Sequence, residues 1–231
     1  MNLPSRLLPI LAGIGLFGAA VTVLEPAALA AEEAKIIPAP KLKAAESGKQ
    51  AVAIFAGGCF WGVEGVFSHI KGVKSAVSGY HGDGKANATY DEVSSGSTRH
   101  AEAVRVVYDP AQVSYGQLLQ VFFSVVADPT TLNRQGPDSG TQYRTALVPV
   151  SKSQSQVARA YIAELDKSGA WQRKIVTAVE PYKAFYPAET YHQDFMFKNP
   201  AHPYIVRWDA VKVSNLKRTF PALFIAKPVR G

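Results

Sequence analysis

The sequence predicts an α+β domain: a mixed sheet on a split βαβ (ferredoxin-like) core, followed by a long coil-rich C-terminal tail. Three observations predict it. An apolar run at 51–56 passes through Gly57-Gly58 into Cys59, and Val63, Val66, Phe67 and Ile70 then recur at helical spacing. Residues 73–80 alternate as a second strand, which completes one β-α-β unit. A strand at 101–108, an amphipathic helix at 114–126 and a strand at 143–150 repeat that order.

The elements follow in order. Residues 1–30 read as a signal peptide: Arg6 is the positive start, 7–24 is uncharged and apolar, and Ala28-Leu29-Ala30 is a small-residue cleavage site. This predicts a periplasmic or secreted protein, membrane-anchored if the signal stays uncleaved. Residues 31–50, rich in Ala, Lys, Glu and Pro, are expected to be a flexible leader or a belt over the domain. A single domain is expected over 51–231. The helix at 59–70 stops at Gly72, 81–88 is a Gly-rich loop, and Asp109-Pro110 ends the third strand. A long polar loop fills 127–142. Ser151 caps a helix to about Lys167, with Val157, Tyr161 and Leu165 on one stripe, and 175–179 is a fifth strand. From Glu180 onward, aromatics and prolines suggest coil wrapped around the core.

Composition narrows the function classes. The chain has 231 residues, 47% hydrophobic and 19% charged, which is ordinary globular composition. Its net charge of +7 is dispersed, with no Lys/Arg run of nucleic-acid type, so no nucleic-acid partner is expected. One cysteine excludes an intramolecular disulfide, and any second thiol must come from another molecule. The five histidines do not pair at metal-ligand spacing and no Gly-rich phosphate motif is present, so neither a metal nor an organic cofactor is expected.

Four groups of residues can carry chemistry. A cysteine in a first helical turn meets free N–H groups and the positive dipole end, which predicts a lowered thiol pKa at Cys59. The other reading is an inert thiol in a core turn. Strand alternation puts Glu102 with Val104 and Val106, so a carboxyl faces the apolar side and its pKa should rise toward that of a proton donor. A one-residue slip would instead expose it as an edge glutamate. The loop 128–144 offers hydroxyl, amide and carboxylate groups, as a binding pocket or as an ordinary capped loop. Tyr80 and Tyr90 flank the Gly-rich loop, as donors to an oxyanion or as core and rim tyrosines. A cysteine-protease reading needs His100 or His192 as base, and no protease signature surrounds Cys59.

Gly58-Cys59-Phe60-Trp61-Gly62, His100-Ala101-Glu102-Ala103-Val104, the run 128–144 and Phe185-Tyr186-Pro187-Ala188-Glu189-Thr190-Tyr191-His192-Gln193-Asp194 together resemble the peptide methionine sulfoxide reductase A family, in collinear order over about 51–205. The resemblance implies reduction of the S epimer of methionine sulfoxide, free or in proteins. It implies Cys59 as nucleophile, Phe60 and Trp61 as the pocket for the substrate methyl group, and Glu102 as proton donor. Tyr90 and Tyr143 would bond the sulfoxide oxygen, with Asp138 also at the site. Two departures stand out. The tail after Gln193 has no cysteine to resolve an oxidised Cys59, and Ser94 stands where some relatives have one. The export signal is the second departure, since the family is often found inside cells.

The expected chemistry is therefore one-cysteine reduction. Cys59 becomes a sulfenic acid, and an external thiol (thioredoxin-like, glutaredoxin-like or a small thiol) restores it. A monomer is expected. Two competing classes remain at this stage. One is a secreted module that binds methionine sulfoxide without turnover. The other is a one-cysteine peroxidase, which the aromatic pair beside Cys59 disfavours.

Overall fold

A computed structural model describes Met1 and residues 33–231; the expected signal peptide lies outside the described residues. Strand β1 (Ala51–Gly57) leads into helix α1 (Phe60–Ser68) and back through β2 (Val73–His81). A short helix α2 (Tyr90–Ser94) precedes β3 (Ala101–Tyr108). Helix α3 (Tyr115–Val121) runs on as a π-helical segment, Phe122–Val126. The polar loop holds the small hairpin β4 (Arg134–Gln135) and β5 (Asp138–Ser139), and ends in a 3-10 turn, Thr141–Tyr143. Then come β6 (Thr145–Val148), α4 (Lys152–Ser168), β7 (Ala178–Val179) and β8 (Tyr186–Pro187). The chain closes with α5 (Phe195–Lys198), a π-helical segment Ile205–Asp209, and α6 (Ala210–Thr219).

The main sheet has the order β7-β6-β1-β3-β2-β8. β1 and β2 flank β3 and both run antiparallel to it, so α1 crosses over the intervening strand as in a split βαβ unit. The parallel pairing of β6 with β7 makes the sheet mixed. Alternation divides the faces. Ala53, Phe55, Val104 and Val106 join Val63, Phe67, Leu118 and Tyr161 in the main core beneath the helices. Ile54, Ala56, Ala101, Ala103, Ala146 and Val148 form a thin second layer with Phe185 over it. Sequence chemistry fixes the helix ends: Ser114 and Gln117 make a capping box, Ser151 caps α4, and Gly169 ends it at φ 73°.

Residues 33–50 follow the belt alternative, and the tail departs from the coil expected for it. Residues 33–50 form no helix or strand, yet Ile37 is buried, Tyr161 Oη donates to the Pro38 carbonyl (2.6 Å), and Tyr108 Oη and the Tyr115 N–H donate to Glu46. The tail is not coil throughout, because α6 carries the buried Leu216 onto the main core. Pro221 marks its end, but the aromatics and prolines on either side hide its amphipathic pattern. The tail is anchored at its start by side chains. Gln193 exchanges two hydrogen bonds with the Ser78 backbone (2.9 Å each), and the Asp194 N–H donates to Glu64 (2.9 Å).

Candidate active site

The turn between β1 and α1 sets the site. Gly58 has φ 86°, and a Cβ there would lie 2.5 Å from Gln135 Cβ, so only glycine fits. Gln135 is buried; it accepts from the Asp128 N–H (2.9 Å) and donates to the Asp128 carbonyl and Thr131 Oγ1 (2.8 Å each). The polar loop is thereby fastened against the turn that presents Cys59. Cys59 is the N-cap residue of α1, 8% exposed, and makes no side-chain capping bond.

Glu102 projects from β3 onto the same face as Val104 and Val106, as alternation requires. It is buried and accepts the Phe60 N–H at 2.9 Å, one residue beyond the sulfur. Burial pushes its carboxyl up to about 8, with Asp138 and Asp209 adding to the rise and the Phe60 N–H opposing it. Glu102 is thus mostly protonated at neutral pH and able to donate.

The thiol behaves against its local sequence. Helix position alone predicts a lowered pKa at Cys59, but the structure pushes the thiol well above its ordinary value. Burial is the largest cause, followed by the carboxylates of Asp209 and Glu102; the Trp61 N–H offsets only part of this. The helix end still favours charge, but desolvation and surrounding carboxylates outweigh it.

Tyr90 and Tyr143 sit within the same field: burial raises both phenols, and both feel Glu102, Asp138 and Cys59. Tyr143 lies in the 3-10 turn before β6 rather than in the strand. Asp138, on β5, accepts a short hydrogen bond from Tyr204 Oη. Phe60 is buried against Tyr80 and His192, with ring centroids 5.9 and 5.0 Å away. Trp61 is half-buried and stacked on Phe195 at 3.7 Å, and its Nε1–H donates to His192 Nδ1 (3.0 Å). Tyr80 Oη donates to Glu189 (2.8 Å), which gives it a structural partner. Neither candidate protease base pairs with Cys59: His192 is engaged by Trp61, and His100 by the Asp83 N–H and the Gly84 carbonyl. Among the described residues, no group of three His, Cys, Asp or Glu side chains is placed to hold a metal ion.

Sequence reasoning missed the tail's share of the site. A cavity of about 10 Å³ is lined by Cys59, Gln135, Gly136, Pro137, Asp138, Tyr204, Trp208 and Lys212. Asp209 lies fully buried beside Gly62, where any Cβ would collide with its Oδ1. The only local signal is the Asp209–Lys212 spacing of a helical ion pair, and such pairs are common on ordinary surfaces.

The sequence profile of the family described as peptide methionine sulfoxide reductase matches residues 51–222. The peptide methionine sulfoxide reductase MsrA 2 of Mesorhizobium japonicum is 59% identical over 177 residues, covering 77% of this chain and 91% of the relative. The protein of the same name from Synechocystis is 52% identical over 168 residues, 73% of this chain and 78% of the relative. Among solved structures, reduced Mxr1 of Saccharomyces cerevisiae is similar with a TM-score of 0.59 at 34% identity, covering 70% of this chain and 92% of Mxr1. Methionine sulfoxide reductase A of Corynebacterium diphtheriae gives 0.58 at 32% identity, covering 76% of this chain and 89% of that one. Since the match runs from β1 through α6 and takes in Cys59, Glu102 and the tail, the chain belongs to the peptide methionine sulfoxide reductase A family: it is an oxidoreductase that reduces methionine sulfoxide in protein repair.

Proposed function

We propose that the enzyme reduces the S epimer of methionine sulfoxide, free or in proteins, through a Cys59 sulfenic acid that an external thiol resolves. One observation carries this reading: a buried Glu102, protonated up to about 8, clamped by the Phe60 N–H beside Cys59. Cys59 attacks the sulfoxide sulfur as its thiol proton passes to solvent, from which Glu102 is reprotonated after it has acted as the acid. Glu102 gives a proton to the oxygen, a poor leaving group otherwise, while Tyr90 and Tyr143 donate hydrogen bonds to it. Phe60 and Trp61 hold the substrate methyl group, and Asp138 orients the Tyr204 side of the pocket. The net change moves one oxygen: methionine leaves reduced, and Cys59 carries the sulfenic hydroxyl. A first external thiol condenses with it, releasing water and forming a mixed disulfide; a second thiol then frees Cys59 as the external pair is oxidised. The single cysteine supports an external source for both thiols, thioredoxin-like, glutaredoxin-like or small.

Reduced protein mixed with S-methionine sulfoxide and no added thiol tests this. The expected result is a single methionine per Cys59 with the sulfenic acid trapped. Tight sulfoxide binding with no methionine formed would favour a binding module. The proposal extends to location. The export pattern of residues 1–30 supports work in the periplasm or beyond, which cell fractionation with N-terminal sequencing checks; the enzyme is proposed to act as a monomer, which light scattering checks.

A further inference from the structure

The mechanism above leaves one buried ionisable group unused. Asp209 is fully buried, and neither carboxylate oxygen has a hydrogen-bond partner. Its nearest cation is Lys212 Nζ, 3.8 Å from Oδ1. A buried carboxylate without donors is costly, so its retention calls for a cause. Its position supplies one. The carboxylate presses on Gly62, in the first turn of α1, whose free N–H groups would otherwise stabilise an anionic Cys59.

We propose that Asp209 is a positioning residue for Cys59: carried by the C-terminal tail onto the first turn of α1, its negative charge keeps the thiol protonated while the tail roofs the site. The inference rests on the reductase reading for its meaning but not for its test. Several charged and titratable groups face Cys59. They are Glu102 on β3, Asp138 on β5, Tyr90 on α2, Tyr143 in the 3-10 turn, Tyr204 and Asp209 on the tail, and Lys212 on α6. With burial as the main cause, Asp209 sits at about 6 and Glu102 at about 8, so at neutral pH Asp209 carries the charge and Glu102 is mostly neutral. Among the charged neighbours, Asp209 is the strongest influence on the thiol. The cavity of about 10 Å³ over the sulfur holds a water at most. A methionine side chain therefore enters only when the roof of Tyr204, Trp208 and Lys212 moves aside. That movement takes Asp209 off the helix end and releases the thiolate where it is needed.

The test is the pH dependence of iodoacetamide alkylation of Cys59 in the full chain without substrate. In Asp209→Asn the midpoint should fall by roughly one pH unit, with about tenfold faster alkylation at neutral pH. In Lys212→Met, which removes the opposing charge, the midpoint should rise. Mere loosening of the roof would speed alkylation in both variants at every pH and leave both midpoints in place. An unchanged midpoint in Asp209→Asn overturns the proposal. If Asp209→Asn does not fold, Asp209→Ser takes its place with the same expected and overturning outcomes. Failure of the reductase reading is distinguishable, because that reading fails when wild-type protein forms no methionine, whatever its alkylation profile.

Discussion

The two halves of the site are built differently. The sheet half holds Cys59, Phe60 and Glu102 through backbone periodicity: a strand, a glycine turn, a helix start and a register of single residues. The tail half brings Tyr204, Trp208 and Lys212 over the same sulfur, and Asp209 against Gly62 beside it, from about 150 residues along the chain, held by packing and a few side-chain bonds. The sheet half supplies groups that enter the reaction. The tail half alters their environment: its Asp209 adds to the burial that raises the Cys59 thiol against the pull of the helix end. Local motif and distant cover therefore act in opposite directions on one atom.

The largest expected effect isolates the sheet half. Cys59→Ser should abolish methionine formation in a single turnover, and near wild-type yield would sink the assignment. Glu102→Gln should slow the sulfur-attack step by roughly 10²–10⁴. In wild type the proton-donating form is lost as pH rises through about 8, so the single-turnover rate should fall there, and the variant should lack that limb. The same carboxyl has a folded pKa above its ordinary 4.5, so its stabilising contribution is full below that value and is lost as pH rises through about 8. Above that pH, Glu102→Gln should melt later than wild type in calorimetry.

The next effects probe how firmly the halves are held. Gly58→Ala places a side chain at φ 86° and against Gln135. It should cost at least about 1–2 kcal/mol in denaturant unfolding, from the left-handed backbone alone. Unaltered stability would mean that the turn and the polar loop are not locked together. Trp61→Phe keeps an aromatic ring against Phe195 but removes the donor to His192. It should cost about 1 kcal/mol, the usual net value of such a bond, and raise hydrogen exchange in the tail more than in the sheet. Equal change in both would remove the distinction between the halves.

The sequence by itself determined the split βαβ core, the helix start at Cys59 and the buried face of Glu102. These follow from repeats of 3.6 and 2 residues together with glycine and capping residues, all of which act over short stretches of chain. It also determined that any second thiol is external, by counting one cysteine. Tertiary structure alone decided that Gln135 locks Gly58, that His192 holds Trp61 rather than pairing with Cys59, and that α6 lies within a tail of coil-like composition. It also decided that Asp209 lies buried against Gly62 in the first turn of α1, where its charge acts on Cys59. The physical reason is that desolvation and charge act through space. A cysteine pKa depends on which carboxylates the fold brings beside it, and no local pattern records that.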